Sequence, residues 1–311
     1  MSEKNNELSR WRHAPSDAEW ALIEPLMSDI QGGRGRPARD NRRFFHAVCW
    51  ILQTGSPWRD LPADFGKWRS IHDRFLDWAK RGWWTKLFEK IRGPATASVL
   101  SLDSTIAKAA PCASGAQKRK KSPLISRQRQ ALGKSHGGLT CKIHAAADEN
   151  GQLVAALLTP GQASDPKHGP RLCRRAAFSR PEAICADKAY DTGPVREAIA
   201  KIGALAAVPS KKNRKIPIPH DACLYKKRNV VERFFRRLKE PRKIGLRTDK
   251  LKKSFEGWVF VAAARVFLAS LRPTGKQRKN SHKPIQKYGM ILEDQPRAPE
   301  WPTSTPTASF T

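Results

Sequence analysis

The stretch Leu224-Tyr-Lys-Lys-Arg-Asn-Val-Val-Glu-Arg-Phe-Phe-Arg-Arg-Leu-Lys239 decides how the chain reads. Tyr225, Arg228 and Lys239 lie seven before, four before and seven after Glu232. At ~3.6 residues per turn these offsets share one helical stripe. A helix is therefore expected from about Arg228 to Lys239, with a lone carboxylate flanked by cations and a phenol. Such an acid adds little to an electrostatic clamp on a polyanion, but it suits a site that holds a metal ion and a polyanion together. The plain alternative is an i,i±4 ion pair of Glu232 with Arg228 or Arg236.

Working outward, the 311 residues carry 59 Lys plus Arg against 28 Asp plus Glu, a formal net charge of +31. Such an excess opposes compaction unless a polyanion neutralises it, which points to nucleic acid as partner. No run of ~20 apolar residues is present to span a membrane, and Met1-Ser-Glu-Lys-Asn-Asn6 has no secretory apolar segment. The six cysteines are scattered without a Cys-x-x-Cys pair, so zinc is not expected and the compartment reads as reducing and intracellular.

The N-terminal part reads as helical. Ser16-Asp-Ala-Glu19 forms a capping box ahead of Trp20, Ile23 and Leu26. A basic glycine loop, Gly32 to Pro37, separates this helix from one over about 41–53, and a third should run from Ser70 to Lys80 and stop at Gly82. These helices resemble a helix-turn-helix module over 1–95, with Arg34, Arg36, Arg39, Arg42 and Arg43 expected on phosphates. For Trp58, Trp68, Trp78, Trp83 and Trp84 core packing is the better reading.

From residue 97 the pattern becomes α/β. Strands are expected over 97–103, 139–147, 153–158, 182–187 and 204–209, with a hairpin turn at Asp148-Glu-Asn-Gly151. Helices are expected over 166–177, capped by Ser164, then over 194–203 and 255–271. Residues 112–137 read as a basic loop, 211–219 as extended, and 273–311 as a disordered tail. The catalytic region would then be 96–272.

Three carboxylates stand out by position: Asp103 and Asp187 at the ends of apolar strands, and Glu232 on the basic helix. Three hard oxygen donors at one sheet edge can share two Mg²⁺ ions, with Mn²⁺ as a substitute, for in-line phosphoryl transfer. Asp191 competes with Asp187, but it reads as the cap of the following helix. Lys188, Arg228, Arg236 and Lys239 would hold DNA phosphates, and Tyr225 would stack or hydrogen-bond. His136 and His144 could contact DNA or catalyse, but an isolated histidine more often satisfies a local hydrogen bond.

Trp58-Arg-Asp-Leu-Pro62, Phe65-Gly-Lys-Trp68, Ser70-Ile-His-Asp-Arg-Phe75, Leu102-Asp-Ser-Thr105, Gly137-Gly-Leu-Thr-Cys-Lys-Ile-His144, Ala186-Asp-Lys-Ala-Tyr-Asp191 and the Tyr-x2-Arg-x3-Glu-x6-Lys pattern together resemble bacterial insertion-sequence transposases of the DDE type, in the family of insertion sequence five. The resemblance covers residues 14 to 272. It implies a ribonuclease H-like mixed-sheet domain and a metal site made of Asp103, Asp187 and Glu232. The implied activity is cleavage at terminal inverted repeats of double-stranded DNA and joining of the freed 3′-hydroxyls to target DNA, without a covalent enzyme–DNA intermediate. A homodimer on DNA and a cytoplasmic, nucleoid-associated location go with it; a catalytically inactive or domesticated DNA-binding relic is the alternative. Ala189 stands where the family usually has Gly, and residues after Pro273 extend past the usual family end.

Overall fold

The computed structural model describes residues 13–31, 40–94, 96–115 and 130–272. The N-terminal region is helical: α1 (Asp17–Gln31), α2 (Asn41–Thr54), α3 (Trp68–Arg81) and α4 (Trp83–Arg92), with short 3₁₀ turns at Trp58–Asp60 and Ala63–Phe65. The capping box forms as read, Ser16 N donating to Glu19 Oε2 at 2.9 Å and Glu19 N to Ser16 Oγ at 3.2 Å. Helix α2 is capped by Asp40, which accepts from Arg43 N, and it ends on Gly55 at φ 66°. Gly82, at φ 74°, stops α3 as expected, yet it also opens α4, which the sequence reading lacks. The signal was present: Trp84, Leu87, Phe88 and Ile91 recur at helical spacing, and the first three are buried.

The sheet comprises β1 (Val99–Ala109), β2 (Gly133–Ser135), β3 (Gly138–Ala147), β4 (Leu153–Pro160), β5 (Ala183–Ala186), β6 (Leu205–Ala207) and β7 (Leu246–Arg247). Strands β1, β3 and β4 pair antiparallel, whereas β5 pairs parallel to both β1 and β6. Helices α5 (Asp165–Ala176) and α6 (Gly193–Ala200) pack with β-strand residues into one apolar cluster, alongside Leu100, Leu102 and Leu157. The remaining helices are α7 (Ala222–Lys226), α8 (Asn229–Lys239), α9 (Arg242–Gly245) and α10 (Lys252–Ser270). Residues of α8 and α10 join Ile143, Ala145 and Ala107 in a second cluster, so the mixed sheet is covered on both faces. This is the mixed α/β class expected from the sequence.

Several local readings need correction. β1 does not end at Asp103 but runs on to Ala109, because Ser104–Lys108 pair with β3 and the last two residues pair with β7. The expected loop over 112–137 carries a 3₁₀ turn at Pro111–Ser114 and strand β2 at its far end; residues 116–129 lie outside the described residues. Lys211–Pro219 is not simply extended. Ser210 Oγ closes it as a loop, donating to Ile218 O at 3.0 Å and accepting from Ile218 N at 2.8 Å. Ser164 precedes α5 without a side-chain cap bond. The expected disordered tail, 273–311, lies outside the described residues.

The aromatic block has no core of its own. Trp20, Phe44, Phe75, Trp78 and Trp84 share one apolar cluster with Phe234, Phe255 and Trp258. Phe75 stacks on Trp258 at 4.1 Å between ring centroids, and Trp84 Nε1 donates to Phe75 O at 3.2 Å. Gly257 lets the last helix come this close, because a Cβ there would lie 2.8 Å from Trp84 Cδ1. Gly257→Val is therefore expected to lower unfolding free energy by about 1–3 kcal/mol through overpacking, read from denaturant midpoints.

Candidate active site

The register of the parallel pair positions the first two acids. Leu102 pairs with Ala186, and that is the last pair between β1 and β5. The next residue on each strand is Asp103 and Asp187. Parallel strands lie ~4.8 Å apart, so the two acids stand side by side where the strands part. Asp103 Oδ1 accepts from Ser104 N at 2.7 Å. Asp187 caps a 3₁₀ turn, Lys188–Tyr190, by accepting from Ala189 N at 3.0 Å. Ala189 adopts no positive φ, so the departure from glycine costs no backbone strain here. Lys188 is exposed beside the pair.

Helix α8 delivers the third acid through an arginine. The Arg228 guanidinium donates from Nη1 to Asp103 Oδ2 at 3.0 Å and from Nη2 to Glu232 Oε1. The i,i+4 pair is thus made with Arg228 rather than Arg236, and the same guanidinium crosses to the sheet. Burial raises the Asp103 carboxyl above its usual range; the Ser104 amide and Arg228 oppose this, while Asp187 and Glu232 add to it. Arg228 is itself desolvated, but Asp103 and Glu232 outweigh that and raise its pKa. The stripe is not one continuous helix: Tyr225 belongs to the short α7, and 3₁₀-type bonds from Lys227 and Arg228 back to Leu224 and Tyr225 join it to α8. The Tyr225 ring lies 6.0 Å from the Arg228 guanidinium carbon. Lys239 Nζ reaches back to Ile106 O on β1 at 2.7 Å.

Against this geometry, a family profile described as a transposase DDE domain matches residues 94–267, and one described as a transposase of the IS4/5 family matches residues 16–88. The chain belongs to the IS4/5 family of DDE transposases. A Brucella ovis protein named as a transposase for insertion sequence element IS6501 is 33% identical over 131 residues, covering 42% of this chain and 99% of the relative. The uncharacterised protein y4sN of Sinorhizobium fredii is 31% identical over 104 residues, covering 33% of this chain and 83% of the relative. Among solved structures, a Mos1 transposase paired-end complex with left transposon end overlaps 74% of this chain and 89% of that one, at 8% identity and a TM-score of 0.23, too slight to carry weight.

In the transposase, Asp191 proves to be an ion-pair hub rather than a cap. Its carboxylate accepts from Arg196 Nε at 2.7 Å and Lys211 N at 2.9 Å, with Arg214 at 3.4 Å, while Thr192 takes the cap position of α6. Asp191 is therefore spent on holding the 205–214 segment. Arg42 is also engaged, paired with Asp17 at the start of α1, and Arg43 is half-buried with its Nε enclosed. Arg34, Arg36 and Arg39 lie outside the described residues.

A polar network behind the acids escaped the sequence reading. Asp165, at the start of α5, accepts from Ser104 Oγ and Lys142 Nζ, each at 2.9 Å. His144 pairs opposite Ser104 in the β1–β3 ladder, is fully buried, and shares a 2.8 Å hydrogen bond with Thr159 Oγ1, so it does not contact DNA directly. Ser104 thus joins Asp165 through its hydroxyl and Asp103 through its amide. The clue in the sequence was the alternation Lys142-Ile-His144, which puts two polar groups on one buried strand face.

Burial pushes the His144 imidazole down to about 4 from an ordinary 6.5; Asp165 opposes this, while His168 and Lys142 add to it. The unfolded chain therefore binds the extra proton between those values, and His144 withdraws stability as pH falls from 6.5 towards 4. The loss is on the order of 3 kcal/mol. In His144→Gln the denaturant midpoint is expected to fall less across that window than in wild type.

Proposed function

We propose that this transposase binds the terminal inverted repeats of an insertion sequence, cleaves DNA strands there and joins the 3′-hydroxyls to target DNA. The observation that carries the reading is the β1–β5 register. It sets Asp103 beside Asp187, and Arg228 ties Glu232 into the same group. Two Mg²⁺ ions fit the donor chemistry, which consists of hard carboxylate oxygens whose mutual repulsion calls for positive charge. Among the described residues no three acids, histidines or cysteines stand grouped for one ion as they are, and Arg228 bridges two of the acids. Asp103, Asp187 and Glu232 would hold the metal, which when bound supplies activation of the attacking oxygen and stabilisation of the leaving one.

The other groups act on the substrate. Arg228 exchanges its carboxylates for a DNA phosphate, a partner its planar fork matches in the same bidentate way. Lys239 and Arg236 continue the cationic line along α8, Lys188 extends it beside Asp187, and Tyr225 packs against the strand. Arg42 and Arg43 would contribute through the posture of α2. The protein works as a homodimer, since two ends must be joined in concert. Among the described residues no helix is long and apolar enough to cross a membrane.

The test is cleavage of a labelled duplex carrying the flanking inverted repeats, with Mg²⁺ or Mn²⁺. Asp103→Ala, Asp187→Ala and Glu232→Ala are each expected to lose activity by about a hundredfold or more while retaining binding. Tight binding without cleavage by wild type would instead identify a DNA-binding relic. Arg228→Ala separates the roles of the guanidinium. Calorimetry without DNA should show tighter Mn²⁺ binding once the internal cation is gone, whereas cleavage should fall.

A further inference from the structure

A second cationic site lies on α8, on the stripe next to the acids. Arg233, Arg236 and Arg237 sit at i, i+3 and i+4 and so share one face of the helix. With Val230 beneath them and Asn150 and Gly151 opposite, they line a groove of about 400 Å³ between α8 and the tip of the β3–β4 hairpin. Arg237 is fixed there, donating from Nη2 to Gly151 O at 2.9 Å. Gly151 has φ +72°, and a Cβ on it would lie 2.8 Å from the same Nη2, so a side chain at this position would push the guanidinium away. Arg233 and Arg236 are exposed, and among the described residues no carboxylate pairs with either.

The hairpin is acidic in sequence, yet its acids turn from the groove. Asp148 Oδ1 is taken up by the amides of Asn150 and Gln152, at 3.0 and 2.8 Å. Glu149 Oε2 accepts from Val99 N at 3.4 Å. What faces the three guanidinia is the neutral Asn150. Uncompensated arginines grouped around a small polar recess, one of them pinned by a backbone carbonyl, form a receptor for a single tetrahedral dianion or monoanion ester.

We infer that this groove grips one backbone phosphate of the duplex, on the flank of the strand whose reacting phosphate lies at Asp103, Asp187 and Glu232. The inference rests on the proposed DNA strand-transfer reading. It adds Arg233, Arg237 and Asn150 as contacts and makes the hairpin tip a wall of the DNA site. Because the groove and the acids share α8, a strand held in one is held at fixed distance from the other.

The experiment is fluorescence anisotropy of a repeat-ended duplex with full-length protein over a range of salt, for wild type, Arg233→Ala, Arg233→Lys and Asn150→Asp. Loss of one phosphate contact should lower the slope of log affinity against log salt by about 0.9. Arg233→Ala is expected to show that drop with several-fold weaker binding, and Arg233→Lys to recover part of it. Asn150→Asp changes neither helix nor arginine, yet its carboxylate should capture a guanidinium and weaken binding similarly. Matched thermal unfolding keeps misfolding apart from lost contact. Unchanged slope and affinity in both Arg233→Ala and Asn150→Asp, with wild type binding the duplex, would overturn the groove alone. Failure of wild type to bind any duplex would overturn the groove and the strand-transfer reading together.

Discussion

Everything in the site depends on the way β1 is hydrogen-bonded along both edges. On one side it pairs antiparallel with β3 from Ser101 to Lys108; on the other it pairs parallel with β5 only as far as Leu102. Asp103 is therefore the first residue held rigidly on one edge and released on the other. Period-two alternation then sorts its neighbours. Leu100, Leu102 and Ser104 face the α5 side, whereas Asp103 faces α8 with Glu232 and Arg228. A slip of one residue would exchange Asp103 with Ser104 and bury the carboxylate against Asp165.

Charge balance around this point runs opposite to the chain as a whole. In a protein of net charge +31, three acids gather where burial already raises the first of them. One guanidinium, bonded to two carboxylates, keeps the group together in the free protein. Removing one partner of such a half-buried arrangement leaves an uncompensated charge, which costs more than the pair contributes. The same arginine is thus a stabilising element that joins the sheet to α8.

Features set by short-range physics were legible in the sequence. The Ser16/Glu19 box, the Gly82 stop and the Asp148–Gly151 turn each depend on a few adjacent residues, and each forms as read. The placement of Asp187 just after an apolar strand, and of Glu232 on a helix one turn from Arg228, was legible too. What the sequence hid was non-local. β1 continues past Asp103 because of partners about 35 and 140 residues on. Asp165 matters only because α5 folds back onto Ser104, and Asp191 looks like a cap until Arg196 and Arg214 are seen converging on it. The helix after Gly82 is hidden for another reason: one glycine both stops α3 and opens α4, and the apolar spacing resumes only at Trp84.

The shared aromatic core also sets an order of events during synthesis. Phe75, Trp78 and Trp84 find Trp258 and Phe255 only when the last helix is available. A ribosome making the protein from its N-terminus must therefore add about 170 to 180 further residues before those rings can meet their partners on the last helix. Until then the tryptophan-rich segment is an unfinished half-core, and a polypeptide that stops before residue 252 leaves those rings without the cover of the last helix.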